Sequence, residues 1–495
     1  MMDRTGMPVL VRIERAPEEL TGHPRHIHPA LDLKYIQAAL AEKLGLTAPF
    51  LDGWLHPWSP SRLVAETLDR GPGIVVVKAA TPCIDEAVEV GAALRRAGVI
   101  TIAIGQQVSH VAYQSCPGWH DAFDIPVLGD PEEEVPALIG RLRAGEPPAE
   151  VAPRYRQALE RREPFFVPDP DRLPWPRFDR RELANYPFPF PMPTGRHNRW
   201  GYVLSTWGCP HRCTFCSGVV RKTSGTVLRT RTPRLIVDEI ASLLRAGAEA
   251  IIFEDDTLLT RRDHFLGICH EIVRRKLRFP WIAHARADHL DAERVAAAAK
   301  AGAALFKVGV ESGSPRIIRS LGKTPVGETW IGCVEQAFEL LHRHRVGAVA
   351  LFLIGSPGET VEDIEKSMEL AIRIKPDYIQ VQVFCAYPDS PYFIERGSQD
   401  GAPIHVGNQY HYATPAWSPS QVPPGELQRL QGVFYKRFYL RPSFIVNHLR
   451  RYGRFYTSPR SAAHSVLGMA AWVAGLRGRA PRHRISAVSL RYGDR

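Results

Sequence analysis

Two blocks of short apolar runs alternating with helix-spaced stretches, separated by a proline-dense segment, limit this chain to α/β architectures. In the first block Val9 to Ile13, Ala48 to Leu51, Ile74 to Val77, Ile100 to Ile104 and Ala122 to Val127 read as strands. Between them Leu31 to Lys43, Ser59 to Leu68, Ile84 to Ala97 and Glu132 to Leu142 carry helical spacing. That order predicts a parallel sheet covered on both faces, a doubly wound fold over residues 1–150. Ligands of such sheets lie beyond the carboxyl ends of the strands. The turns Lys78 to Thr81 and Gly105 to Gln107 are therefore candidate ligand-facing positions.

Nine prolines fall between residues 160 and 195, interleaved with Phe, Trp and Tyr. Such a segment is not expected to build helix or central strand, so 151–195 reads as an extended linker lying over the surface. The second block opens with a strand at Gly201 to Thr206 and continues through Ala250 to Phe253, Trp281 to Ala283, Leu305 to Val310, Ala348 to Ile354 and Tyr378 to Phe384. Thr232 as cap and Pro233 at the first position start one helix, with Leu235, Ile236, Ile240, Leu243 and Leu244 as its apolar stripe. Thr360 with Asp363 starts another as a capping box. Six β/α units over residues 196–400 predict a partial (β/α)6 barrel, open on one side, with its chemistry at the strand carboxyl ends. Residues 401–495 read as a small, basic, mostly helical region, with helical stretches at Leu427 to Leu440 and His464 to Leu476. The latter is too short to span a bilayer; contact with a membrane surface is an alternative to its being a core helix.

The net charge is +11, and arginines crowd the C-terminal end from Arg441 to Arg495. Nucleic acid, a solvated tail or a docking surface for an acidic electron donor would each account for that charge. Eight cysteines in a chain of 495 residues do not make a disulfide scaffold. Cys83, Cys116, Cys269, Cys333 and Cys385 read as reduced, mostly buried thiols. Without a signal peptide or an apolar run of about twenty residues, a cytoplasmic protein is expected.

The chemistry concentrates in Trp207-Gly208-Cys209-Pro210-His211-Arg212-Cys213-Thr214-Phe215-Cys216. Three thiolates on one loop, spaced CxxxCxxC, can hold three irons of a [4Fe-4S] cluster and leave the fourth iron open to bind and reduce a ligand. A closed zinc knuckle needs a fourth ligand, and His211, between the first two cysteines, is badly placed to supply it. Three acids, Glu254, Asp255 and Asp256, end the second barrel strand, where unpaired carboxylates are costly as packing devices but suit an ammonium group.

This constellation resembles the radical S-adenosylmethionine (SAM) enzymes, and the domain order resembles their cobalamin-binding branch. The resemblance implies a cluster held by Cys209, Cys213 and Cys216, a SAM contact at Phe215 and the SAM amino group at Asp255 or Asp256. It implies ribose and carboxylate contacts at Glu311 and Ser312, the adenine-side turn at Gly355, and Arg286 as a partner of the SAM carboxylate. The first block would then be a Rossmann-like cobalamin-binding domain, its corrin lined by Lys78, Ala79, Thr81, Gly105 and Gln106. Where many such domains place an axial histidine this chain has Trp54; His56, two residues on, reads as a loop histidine. Tyr435 to Pro442 also looks like the C-terminal region of that branch. The implied activity is methylation of an unactivated carbon of a small molecule, with electrons from a flavodoxin or ferredoxin. A cyclase or rearrangement enzyme that uses cobalamin without methyl transfer, or an RNA-modifying protein, are the other readings. Because a solvated tail or a donor-docking surface explains the basic charge equally well, nucleic acid is not the expected partner.

Overall fold

Alternate residues of strand β1 (Pro8–Ile13) enter two different cores, which puts the strand inside a sheet covered on both faces. The computed structural model describes residues 6–14, 28–56, 58–80, 83–105, 108, 116–188, 197–216, 225–324, 326–387, 390–397, 399–401 and 417–452. Thr81, Gln106 and the expected helix at His464 to Leu476 lie outside them. Val9, Val11 and Ile13 pack with Val75 and Val77 against Ala87, Val90 and Leu94 of helix Ile84–Arg96. Leu10 packs with Ile74, Val76 and Ile102 against Leu33, Ile36 and Leu40 of helix Leu31–Leu44. With β2 (Phe50–Asp52), β3 (Ile74–Ala79), β4 (Ile100–Ile104) and β5 (Ile125–Pro126), the sheet is parallel throughout in the order β2-β1-β3-β4-β5. This is the expected doubly wound fold.

β5 is shorter than the expected strand from Ala122 to Val127. Ala122 closes a short helix, and Pro126 has no N–H to extend a ladder. The Asp124 carboxylate takes over, accepting from Thr101 N at 2.9 Å and Thr101 Oγ1 at 3.1 Å.

The described part of the proline-dense segment lies over the surface with one face only; the other is buried. Val167, Leu173, Phe178, Leu183, Tyr186 and Phe188 are buried, while Phe166, Pro168, Asp169, Arg172 and Arg177 are exposed, so the segment is a belt whose inner face joins the interdomain core. The belt also contains a short helix, Arg180–Ala184, where no proline interrupts; Asp179 caps it by accepting from Arg181 N and Glu182 N at 2.8 Å each. Its Tyr186 hydroxyl donates to Asp52 Oδ2 at 2.9 Å, while Tyr202 of the second block donates to Tyr186 O at 2.8 Å. Both sheets are thus tied to one stretch of chain.

The second block begins with β6 (Trp200–Val203) and a small antiparallel hairpin, β7 (Thr206–Trp207) with β8 (Arg229–Thr230). β9 (Ala250–Phe253), β10 (Trp281–Arg286), β11 (Ala303–Glu311), β12 (Gly347–Ile354) and β13 (Tyr378–Val383) complete a six-stranded parallel sheet in the order β13-β12-β11-β10-β9-β6. No pairing joins β13 to β6 among the described residues, so the barrel is open as expected. Thr232 does stand at the helix start, but its side chain bonds Asp171 of the belt instead of capping. Thr360 and Asp363 form the capping box. Helix Pro424–Tyr439 covers edge strand β13, where Tyr439 and Tyr435 hydroxyls accept from Ile379 N at 3.0 Å and Val381 N at 2.9 Å. Paired in this way, the edge offers fewer free donors to another chain.

Candidate functional site

The loop after β7 carries Cys209, Cys213 and Cys216, all as free thiols. It is pinned at several points: Thr214 N donates to Leu321 O at 2.9 Å, Cys209 N to Gly225 O at 3.0 Å, and Thr257 Oγ1 to Gly208 O at 3.3 Å. Gly322 (φ +62°) lets the turn after helix Pro315–Ser320 approach this closely, because a Cβ there would meet Arg212 O at 2.8 Å. Burial pushes the Cys216 thiol upward, and then Asp256, Cys213 and Cys209 do so in turn. Burial raises Cys209 as well. Two thiols whose ionisation is opposed by burial and by the neighbouring Asp256 and Cys213 are donors suited to a cationic cluster. Among the described residues no three His, Cys, Asp or Glu side chains are gathered to hold a metal ion. A four-iron cube takes each thiolate on a separate iron and does not require convergence on one point.

Next to the loop, Asp255 is fully buried and Oδ1 accepts from Ser205 N (3.0 Å), Ser205 Oγ (2.8 Å) and Thr206 Oγ1 (2.6 Å). His264 Nε2 lies 3.2 Å from Ser205 Oγ and extends the brace. Asp255 Oδ2 is buried without a hydrogen-bond partner. Burial pushes Asp255 up to about 6 against those hydrogen bonds. Asp256 is pushed to about 7 by burial, then by Asp255 and Glu254. It nevertheless keeps exposed surface, so it faces an opening set deep in the protein, where water moderates that rise. One acid is locked and its neighbour presented, an arrangement suited to a cationic ligand.

Arg286 ends β10 with Nη1 3.6 Å from Cys213 Sγ. Asp288 accepts from its Nε and Nη2 at 3.0 and 2.8 Å, Lys323 O accepts from Nη2 at 2.9 Å, and Trp330 lies 5.2 Å from the guanidinium. Glu311 has φ +66°, a strained backbone for a residue with a Cβ. Its Oε1 accepts from buried Lys323 Nζ at 2.7 Å. Lys323 also stands 5.8 Å from the Phe215 ring, joining the cluster loop to Glu311. Sequence reasoning missed Lys323, which follows a helix and a glycine with no motif of its own. Ser312 is fully buried; its Oγ lies 3.2 Å from Ser367 Oγ and accepts from Ser314 N at 3.1 Å, so it braces the turn against helix Val361–Ile374.

Gly355 (φ +79°) turns the chain under helix Pro424–Tyr439, where a Cβ would meet Leu427 Cδ1 at 2.8 Å. In the same turn Glu359 is buried, accepts from Ser356 N at 3.0 Å and leaves Oε1 without a partner. Burial pushes it to about 8. This folded-state value lies above the ordinary 4.5, so the native chain holds a proton that the unfolded chain releases. Its stabilisation is complete below about 4.5 and is lost as pH rises through about 8. Glu359→Gln is expected to make melting temperature fall less steeply across that interval, as calorimetry at a series of pH values would register.

At the end of the N-terminal sheet, Arg12 lies 4.2 Å over the Trp54 ring, His28 meets that ring edge-on at 4.8 Å, and Trp54 Nε1 is buried without a partner. Lys78 Nζ pairs with Asp32 at 2.7 Å; Ala79 is buried; Gly105 sits against the Lys78 chain. His56 is exposed and stacks on Trp58. Trp207, directly before the cluster loop, donates from Nε1 to Glu132 Oε1 of the N-terminal domain at 3.5 Å. Among the described residues no helix is long and apolar enough to cross a membrane.

Residues 203–371 match the family model of the radical SAM superfamily. The chain is 25% identical over 436 residues to an uncharacterized methyltransferase of Pyrococcus horikoshii, covering 85% of this chain and 90% of that protein. It is 27% identical over 241 residues to the anaerobic magnesium-protoporphyrin IX monomethyl ester cyclase of Rubrivivax gelatinosus, where it spans 48% of this chain but only 42% of the cyclase. Its fold is similar to that of the radical SAM methyltransferase TsrM from Kitasatospora setae, solved with tryptophan and a SAM analogue (TM-score 0.61, 18% identity, 80% of this chain and 76% of that one). It is equally similar to the cobalamin-dependent radical enzyme OxsB, solved with aqua-cobalamin and SAM (TM-score 0.61, 14% identity, 95% and 71%). The barrel that presents Cys209, Cys213 and Cys216 is a radical SAM domain, joined here to a doubly wound N-terminal domain in the manner of TsrM and OxsB.

Proposed function

We propose that this chain is a cobalamin-dependent radical SAM methyltransferase acting on an unactivated carbon of a small molecule. The observation that carries the reading is the juxtaposition at the barrel mouth: three free thiols on one pinned loop, a locked and a presented acid beside them, and a doubly wound domain whose Glu132 accepts from Trp207 on the strand leading into that loop. When bound, the cluster and SAM supply reductive cleavage of a sulfonium and hydrogen abstraction, and cobalamin supplies methyl delivery.

The chain's own residues bind and orient. Cys209, Cys213 and Cys216 hold the cluster; Asp256, steadied behind by Asp255, takes the SAM ammonium; Arg286 approaches the carboxylate side, and Glu311, held by Lys323, the ribose. Phe215 and Gly355 border the adenine. Lys78, Ala79 and Gly105 line the corrin, together with Thr81 and Gln106 of the same turns. Trp54, under Arg12, offers no axial ligand to a metal. A flavodoxin-like or ferredoxin-like donor in the cytoplasm supplies the electron. Holding the substrate between two cofactors fixes the geometry that makes each transfer effectively intramolecular.

Anaerobic protein incubated with methyl-labelled SAM, strong reductant and cell extract should yield deoxyadenosine and a labelled small molecule, and its absorption should carry iron–sulfur and corrin bands together. Stoichiometric zinc with no deoxyadenosine would overturn the reading. The similarity to the anaerobic cyclase favours a second one, in which cobalamin serves without methyl transfer. Deoxyadenosine accompanied by an unlabelled product would support that alternative.

A further inference from the structure

Beneath the strand-end acids lies a polar layer that none of the motifs above accounts for. Strands β9, β10 and β11 run in register, with Ile282 beside both Ile252 and Leu305. These three are buried and close the barrel floor. Two residues further along the same inward row stand Glu254, just past β9, His284 on β10, and Lys307 paired with it on β11. Barrel interiors ordinarily fill such a row with branched aliphatic side chains. Here it holds an acid, an imidazole and an amine, all only half-buried, while Phe253, Ala283 and Phe306 on the outward face are closed off. Another two residues up, a rise of about 6.6 Å, Arg286 reaches Cys213. The layer therefore lies two residues below Arg286 on the same inward row, on the side of the sheet from which Arg286 reaches the cysteine loop.

Two further observations point to a ligand. Glu254 Oε1 is sealed from bulk solvent and has no hydrogen-bond partner, an omission that is costly unless something fills it. Phe188 of the belt lies 5.3 Å from Lys307 Nζ and gives the layer an aromatic wall. Burial pushes His284 down to about 3, so its ring stays neutral and offers one donor and one acceptor between the two charges. Arg12 and Lys307 both oppose the rise that burial imposes on Glu254.

We propose that Glu254, His284 and Lys307 form the substrate seat, and that the seat takes a zwitterion: an amino acid, or a unit built from one, with its ammonium on Glu254 and its carboxylate on Lys307. A simple anion would face the Glu254 carboxylate, and a simple cation the Lys307 amine; a dipolar headgroup meets each charge with its opposite. With the headgroup held on this layer, the side chain points up toward the cysteine loop, where hydrogen abstraction takes place. The proposal rests on the radical SAM reading and deepens it.

The test is isothermal titration of the anaerobically reconstituted full chain with the L-amino acids, followed by the desamino acid and the decarboxylated amine of whichever binds. At least one amino acid should bind, and each analogue should bind about tenfold or more weakly. Glu254→Gln and Lys307→Met should each weaken binding by a similar factor, and Lys307→Arg should restore much of it. Melting temperatures close to wild type would separate lost contacts from lost folding. Absence of binding by every amino acid at millimolar concentration would overturn the seat, as would a desamino analogue that binds equally well or unchanged affinity in Glu254→Gln. Deoxyadenosine formation by the wild type, measured alongside, keeps the two readings distinguishable: if it persists while no amino acid binds, the seat alone falls.

Discussion

Cys213→Ala leaves anaerobically reconstituted protein short of iron and sulfide and lowers deoxyadenosine formation by about a thousandfold or more. The effect is this large because the thiol cannot be replaced from nearby: Cys209 and Cys216 serve their own irons, and His211 is turned toward Thr260 and His289, with Thr260 Oγ1 3.4 Å from its Nε2. Cys269→Ala is the matched control. Cys269 is buried in helix Arg262–Arg274, its thiol pushed up to about 12 by desolvation, and it takes no part in the loop. Iron content and turnover should stay near wild type in that variant. Equal loss in both would mean that the three-cysteine loop does not hold the cluster.

The largest expected loss of stability comes from Arg231→Met. Arg231 and Glu239 are both about 1% exposed and pair at 2.9 Å. Arg231 also donates to Leu173 O of the belt at 2.6 Å and to Tyr35 OH of the N-terminal domain at 3.2 Å. Removing the guanidinium leaves Glu239, which burial already pushes upward, without its compensating charge. The cost is about 3–5 kcal/mol, a fall in melting temperature of roughly 3–5 °C for a chain of this length. Replacing both partners, Arg231→Met with Glu239→Leu, should recover part of that loss, since an apolar pair leaves no buried charge. Arg343→Ala, which breaks an exposed pair with Glu339, should cost no more than about 0.5 kcal/mol. A melting temperature for Arg231→Met within a degree or two of that control would show that the buried pair does not tie the domains.

Elements whose signal is local were readable from the chain. The apolar periodicity gave eleven of the strands to within a few residues, and the Thr360 and Asp363 pair formed the capping box that its spacing required. The belt was misread because proline counts report what a segment cannot become, not what it touches. Only the buried state of Leu173, Leu183 and Tyr186 reveals that its apolar residues fill a core. Within the site, the cysteine loop and the three acids announce themselves by spacing. Lys323 and the row of Glu254, His284 and Lys307 do not, because each brings together residues from different strands or turns, and strand register is invisible in sequence.

A segment whose inward side chains are rooted in both halves of the protein cannot serve as a hinge. With Tyr186 gripping Asp52, Glu182 pairing with Lys34 and Arg231 clasping Leu173, swinging the halves apart would require melting the belt itself. Any broad, flat guest between the halves must then slip in from the rim or be enclosed while the chain is still assembling. Once seated, it would exchange on the timescale of partial unfolding, so that retention through long dialysis would report the belt's integrity more than the guest's affinity.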